Sequence, residues 1–166
     1  MKHIRKMLAS GVVAAVLGSV GLAAFATPAI ATCNGFSCHG RDPSIQGCAA
    51  TSTTESSDTL AIVQNRFSQG CKANWARGAL TQTGIHNGDK IQVIIQTTDS
   101  QGNFEKMCFP GPNNTGQLQE LCFAGMFYQS TTFAFTDMVD GTNVAAAIVN
   151  IYDSSGTFIR RLEADQ

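Results

Sequence analysis

The sequence predicts a mainly β fold, a small disulfide-stabilised antiparallel sandwich or barrel with little helix outside a secretory signal peptide. Three observations carry this expectation. Short apolar and β-branched runs recur between clusters of Gly, Pro, Asn, Asp and Ser, which is how strands and turns are punctuated. All six cysteines fall after residue 31, and outside a reducing cytosol an even set is read as disulfides. No segment beyond the signal has a convincing helical apolar period.

The chain begins with the three zones of a secretory signal. Lys2, Arg5 and Lys6 lead, an apolar run follows over about residues 8–25, and Ala29-Ile30-Ala31 forms a small-residue cleavage end. The run contains Gly11, Gly18 and Gly21 and stops at Pro28, which suits a removable signal better than a membrane anchor. Residues 1–31 are therefore expected to leave, and 32–166 to form a single disulfide-bonded β domain in the secreted, extracellular space with no stable membrane insertion. A lipid-attachment outline ends at Cys33, but Thr32 stands where a smaller residue is usual, and lipidation would leave an odd number of thiols. The remaining 135 residues suit one core. They carry 8 basic and 12 acidic side chains, a net of −4, which excludes the basic surface that nucleic acid or anionic lipid requires.

Residues 49–59 lack large apolar side chains and read as an exposed connection or irregular edge. Residues 60–67 read as a strand with Leu60, Ile62, Gln64 and Arg66 on one face. Residues 71–80 fit either a short helix or a second strand; the strand is favoured, and in it Ala73, Trp75 and Arg77 share one side. Residues 90–98 alternate most clearly, and residues 103–109 return after the turn Asp99-Ser100-Gln101-Gly102. A similar hairpin comes later: residues 145–152, Asp153-Ser154-Ser155-Gly156, then residues 157–162. Both turns are expected to place their glycine, Gly102 or Gly156, at positive φ. Residues 126–135 are aromatic and threonine-rich, hence strand-like.

Cys108 and Cys122 bracket a Pro/Gly loop opened by Phe109 and closed by Gly116, and are expected to bond to each other. Cys33, Cys38, Cys48 and Cys71 then pair among themselves. Spacing leaves their connectivity open, with a leaning to the nested arrangement of Cys38 with Cys48 and Cys33 with Cys71.

The stretch that organises the chain opens C-x-G-x-x-C-x-G-x-D-P at Cys33 to Pro43, continues with Gly47-Cys48 and Arg66-Phe67-Ser68, and closes C-x-A-x-W-A-R at Cys71 to Arg77. In these blocks, and in Met138-Val139-Asp140-Gly141 further on, it resembles the YjfA-like family of secreted bacterial proteins, a domain of unknown function. The resemblance implies a secreted, disulfide-bonded domain and brings no catalytic residues.

Chemistry-bearing candidates are few. His39 oriented by Asp42, with Ser37 or Ser44 as nucleophile, is the hydrolase arrangement, but nothing supplies an oxyanion hole or nucleophile elbow. Asp42 between Arg41 and Pro43 is more simply a turn former. In a second structural reading it accepts from Arg66 and Arg77, with Gly40, Asp42, Pro43, Trp75, Arg77 and Arg66 forming one structural motif. Zinc through the four cysteines with His39 or His86 lacks any C-x-x-C pair, and calcium through Asp137, Asp140 and Asn143 lacks the ligand spacing. Asn113-Asn114-Thr115 is a glycosylation sequon without a known glycosylating context. Phe123, Phe127, Tyr128, Phe133 and Phe135 at strand spacing read as core before binding face.

The expectation is thus no metal, no cofactor and no catalytic residue. The function read from the chain is a non-enzymatic interaction module whose partner is an extracellular protein or a cell-envelope ligand. The alternatives are a small hydrolase using His39 and Asp42, and a protease inhibitor presenting the loop from Phe109 to Gly116.

Overall fold

The computed structural model describes residues 31–98, 104–109 and 127–165. Two antiparallel sheets face each other. The first orders β1 (Ser52–Ser57), β2 (Ala61–Ser68), β3 (Ala73–Leu80) and β6 (Ala134–Phe135), with β7 (Val139–Asp140) also against β3. The second orders β5 (Phe104–Phe109), β4 (Lys90–Thr98), β8 (Ala145–Tyr152) and β9 (Phe158–Asp165). Of the two forms expected from the strand pattern, antiparallel sandwich or barrel, this is the sandwich.

Alternation sets which face each strand buries. In β2 the side chains of Ala61, Val63 and Asn65 are buried, while Ile62, Gln64 and Arg66 are half-buried on the other face. Residues 91–95 of β4 are all buried, because this strand lies between β5 and β8 and is covered on both faces. The main core joins Val63, Ala76 and Leu80 of one sheet to Ile91, Val93, Val149 and Ile151 of the other. A smaller buried patch of Ile94, Cys108 and Ile148 lies on the opposite face of the second sheet.

Two features fix how closely and in what register the sheets meet. Gly78 of β3 sits where a Cβ would come within 2.6 Å of Val149 and 2.8 Å of Val93, so only glycine permits that approach. Beside it, the Asn74 amide donates to Asn65 Oδ1 at 2.9 Å, and Asn65 Nδ2 donates to the Ala145 carbonyl of the facing sheet at 2.6 Å. Asn65 and Asn74 are 2 % and 0 % exposed. At that burial a lost amide partner costs about 1–3 kcal/mol, so this chain of bonds disfavours any slipped register.

Three expectations need correction. Residues 49–59 contain a strand, β1, whose exposed polar residues are held by pairing Ser52 to Phe67 through Ser57 to Ile62. Backbone hydrogen bonds to a formed edge stabilise a strand that has no apolar face to bury. Residues 82–87 form a short helix, α1 (Gln82–Asn87), capped by Thr81 accepting from the Gly84 N–H and ended by Gly88 at φ +75°. Its six residues are too few to show a period. Residues 127–135 are not one strand: Tyr128 bridges Ile91, a turn follows, and only Ala134–Phe135 pair with β3. Phe127, Tyr128, Phe133 and Phe135 are half-buried instead of central to the core.

Both hairpins form, with Thr98 opposite Phe104 and Tyr152 opposite Phe158. In the second turn Asp153 Oδ1 accepts from the Ser155 and Thr157 N–H groups, each at 2.9 Å. The Ser155 hydroxyl first, and the Thr157 N–H next, hold that carboxyl below the usual carboxylate range. Gly156 takes φ +89° as expected, while Gly102 lies outside the described residues.

Gly78→Ala is expected to lower the unfolding free energy by about 1–3 kcal/mol through overpacking, and Gly156→Ala by about 1 kcal/mol through its positive φ. Denaturant titration of both variants checks this. A Gly78→Ala protein as stable as the parent would contradict the close sheet contact.

Candidate functional site

Residues 31–50 fold over the outer face of the first sheet, and the cysteines hold them there. The bonds are Cys33–Cys38 and Cys48–Cys71, with Cα separations of 5.1 and 5.8 Å. This corrects the nested pairing. A 3-10 turn (Gly35–Cys38), with Gly35 at φ +56° and the Ser37 hydroxyl bonded to the Asn34 backbone, folds Cys38 back onto Cys33. The longer link then falls to Cys48, which reaches Cys71 just before β3. In the chain-entropy model the two closures are worth roughly 2 and 3.5 kcal/mol. Cys108 is buried and disulfide-bonded; its expected partner Cys122 lies outside the described residues, as does most of the loop from Phe109 to Gly116. The four paired cysteines, Ala73, Trp75 and Met138 form a second buried cluster.

Gly40 and Pro43 are buried in this segment. Gly40 takes φ +70°, and its N–H donates to the Met138 carbonyl at 2.9 Å. Asp42 behaves as a turn former. Its Oδ1 accepts from the Ser44 and Ile45 N–H groups at 2.7 and 3.2 Å, and neither Arg66 nor Arg77 lies in an ion pair with it. The local donors prevail because two N–H groups within three residues are reached at no cost in chain ordering. Ser37 Oγ is taken up by Asn34, and His39 stacks on Phe36 at 5.8 Å. His86 is exposed on α1. Asp140 Oδ1 accepts from the Thr142 N–H, again a turn.

What the fold does assemble is a pocket of about 300 Å³ between the cysteine segment, the outer face of β2 and β3, and residues 133–135. Arg66, Trp75, Arg77, Phe133 and Phe135 line it, with Cys48 at its wall. Register explains the pair of arginines: Arg66 lies opposite Trp75, and Gln64 opposite Arg77, so the two guanidinium groups are diagonal neighbours on one face. The shared arginine face is thus present, without the acid expected to neutralise it. Arg77 stacks on Phe133, 4.4 Å from the ring centre. Arg66 Nε is buried with no hydrogen-bond acceptor. Burial first, and the Arg66 charge second, push the Arg77 pKa down from its ordinary value. Phe133 and Phe135 as pocket walls were beyond sequence reading, since only tertiary folding brings residues 133–135 beside β3.

One carboxylate nearby is also under strain. Burial, and then the neighbouring charge of Asp42, raise the pKa of Asp137 to about 6. The folded state then binds more protons than the unfolded state between about pH 4 and 6, so stability falls as pH rises through that window and the penalty is complete above it. Asp137→Asn is expected to raise the melting temperature at pH 7 and to flatten its dependence over pH 4–6. Identical pH profiles for variant and parent would remove Asp137 from this role.

Among the described residues no helix is long and apolar enough to cross a membrane. No curated protein and no solved structure matches the chain. Residues 36–148, which take in Cys38, Cys48 and Cys71, both arginines and the pocket walls, match the sequence model described as "Protein of unknown function (DUF2690)", and the chain belongs to that family.

Proposed function

We propose that the protein is a secreted, non-enzymatic recognition domain, of the YjfA-like kind that its cysteine motif resembles, and that its binding site is the pocket of Arg66 and Arg77. The observation that carries this reading is two guanidinium groups converging on one pocket with no carboxylate partner among the described residues. Two half-buried like charges repel and are poorly solvated, an arrangement that an entering anion relieves. The pocket has the volume of a small-ligand site at the low end of the usual range. Trp75, Phe133 and Phe135 line it beside the arginines, so it suits an anionic group carrying a small apolar or aromatic portion. Such a group would belong to an extracellular protein or a cell-envelope ligand.

Secretion is supported by the signal pattern of residues 1–31 and by the paired cysteines. The bond from Cys33 to Cys38 supports a Cys33 that carries no lipid. For the hydrolase and inhibitor alternatives no specific contact speaks: Asp42 is occupied by backbone N–H groups, and the inhibitor loop lies mainly outside the described residues.

Phenyl phosphate and inorganic phosphate serve as probes in calorimetric titration. The expected result is tighter binding of phenyl phosphate, weakened at least tenfold, about 1.4 kcal/mol, by Arg66→Gln or Arg77→Gln. Neither substitution should lower the melting temperature, because each removes a repulsion. Equal binding by the double variant would sink the pocket assignment. The address is checked separately, by intact mass of the protein from culture supernatant: the chain is expected to start at Thr32, and a retained signal or a lipid adduct on Cys33 would refute it.

A further inference from the structure

The geometry points to a metal site within the cysteine cluster: when its two disulfides are reduced, Cys33, Cys38, Cys48 and Cys71 bind one zinc ion as a tetrathiolate. The four sulfur atoms all lie within 4.8 Å of one another and all four residues are buried. Zinc with four thiolates at about 2.3 Å in a tetrahedron requires sulfur-to-sulfur separations of about 3.8 Å. Cys33 Sγ and Cys48 Sγ, which belong to different disulfides, are already 3.9 Å apart. Opening each bonded pair by side-chain torsion to the same separation would complete the tetrahedron.

The backbone holding these sulfurs does not depend on the disulfides alone. The Gly35 N–H donates to the Cys71 carbonyl at 2.7 Å, the Cys48 N–H to the Pro43 carbonyl at 2.9 Å, and the Gly40 N–H to the Met138 carbonyl at 2.9 Å. Cys71 is further tied by its N–H to Ser68 Oγ. The ligands therefore come from three tethered places: the 3-10 turn, the end of the Asp42 turn, and the start of β3. Four thiolates form a soft, closed donor set, which selects zinc over calcium or magnesium. Access exists, since Cys48 forms part of the pocket wall.

The absence of a C-x-x-C pair argues against zinc only if spacing stands in for geometry, and here the fold brings together ligands five, ten and twenty-three residues apart in sequence. Zinc and the two disulfides are alternative fasteners for the same four sulfurs. Oxidation by two molecules of a small-molecule disulfide takes four electrons from the four thiolates. It forms Cys33–Cys38 and Cys48–Cys71, yields four small-molecule thiols with uptake of four protons, and releases the zinc ion.

The test is to reduce the full chain with a phosphine, remove the reductant without air, and titrate with cobalt(II) and then zinc. The expected result is one cobalt per chain with the intense visible absorption of tetrahedral tetrathiolate, displaced by one equivalent of zinc. Alkylation with iodoacetamide, mapped by mass spectrometry, should then find Cys33, Cys38, Cys48 and Cys71 protected at least tenfold by zinc. Cys48→Ser should lose the tetrathiolate spectrum, and Cys108→Ser should keep it. The spectrum reports ligation whether or not the reduced chain is folded beforehand. A reduced chain that takes up no cobalt, or shows an octahedral spectrum, would overturn the site.

Discussion

The disulfide between Cys48 and Cys71 is the constraint on which the candidate site depends. The sandwich buries only one face of β2 and β3, and the other face carries Arg66, Trp75 and Arg77, which a two-layer fold would leave to solvent. Joining Cys48 to Cys71, two residues ahead of β3, brings residues 31–50 across that face as a third, irregular layer. The layer has no regular secondary structure beyond a single 3-10 turn. It stays in place by the covalent tie, by left-handed glycines at positions 35, 40 and 47, and by backbone bonds to Met138 and Cys71.

From this cover follows the asymmetry between the two buried clusters. Between the sheets the contacts are aliphatic, and Gly78 allows close approach. Beneath the cover they are sulfur and indole, and along the covered face of β3 only Arg77 is left half-buried. Trp75 is enclosed at 5 % exposure, but Arg77, one pleat further, faces the gap that remains. The pocket is thus the unfilled margin of a structural layer. Its charge is unbalanced because the nearest acid of the motif, Asp42, is committed to its own turn.

That commitment also shapes the acids. Asp42 keeps its carboxylate against two N–H groups, and Asp137 lies close enough to feel its charge. Around the pocket, therefore, the guanidinium groups of Arg66 and Arg77 gather without an acidic partner, while the charge of Asp42 acts on Asp137. A purely structural motif would be expected to pair them. Segregation of like charges at a concave, partly buried place is the pattern that ligand sites produce.

Sequence alone determined a mainly β antiparallel class, sandwich or barrel, the strands with alternating faces, both hairpins, the glycine of the second turn and the shared face of Arg66 and Arg77, because each follows from a local period of two or from turn chemistry. It could not reveal β1, which forms only when β2 offers an edge, or α1, which is too short to carry a period. The disulfide partners, the walls contributed by Phe133 and Phe135, and the true acceptor role of Asp42 were decided by tertiary structure. Four sulfurs gathered within 4.8 Å make several pairings close in space, and spacing along the chain contains no term for which of them the backbone turns toward each other.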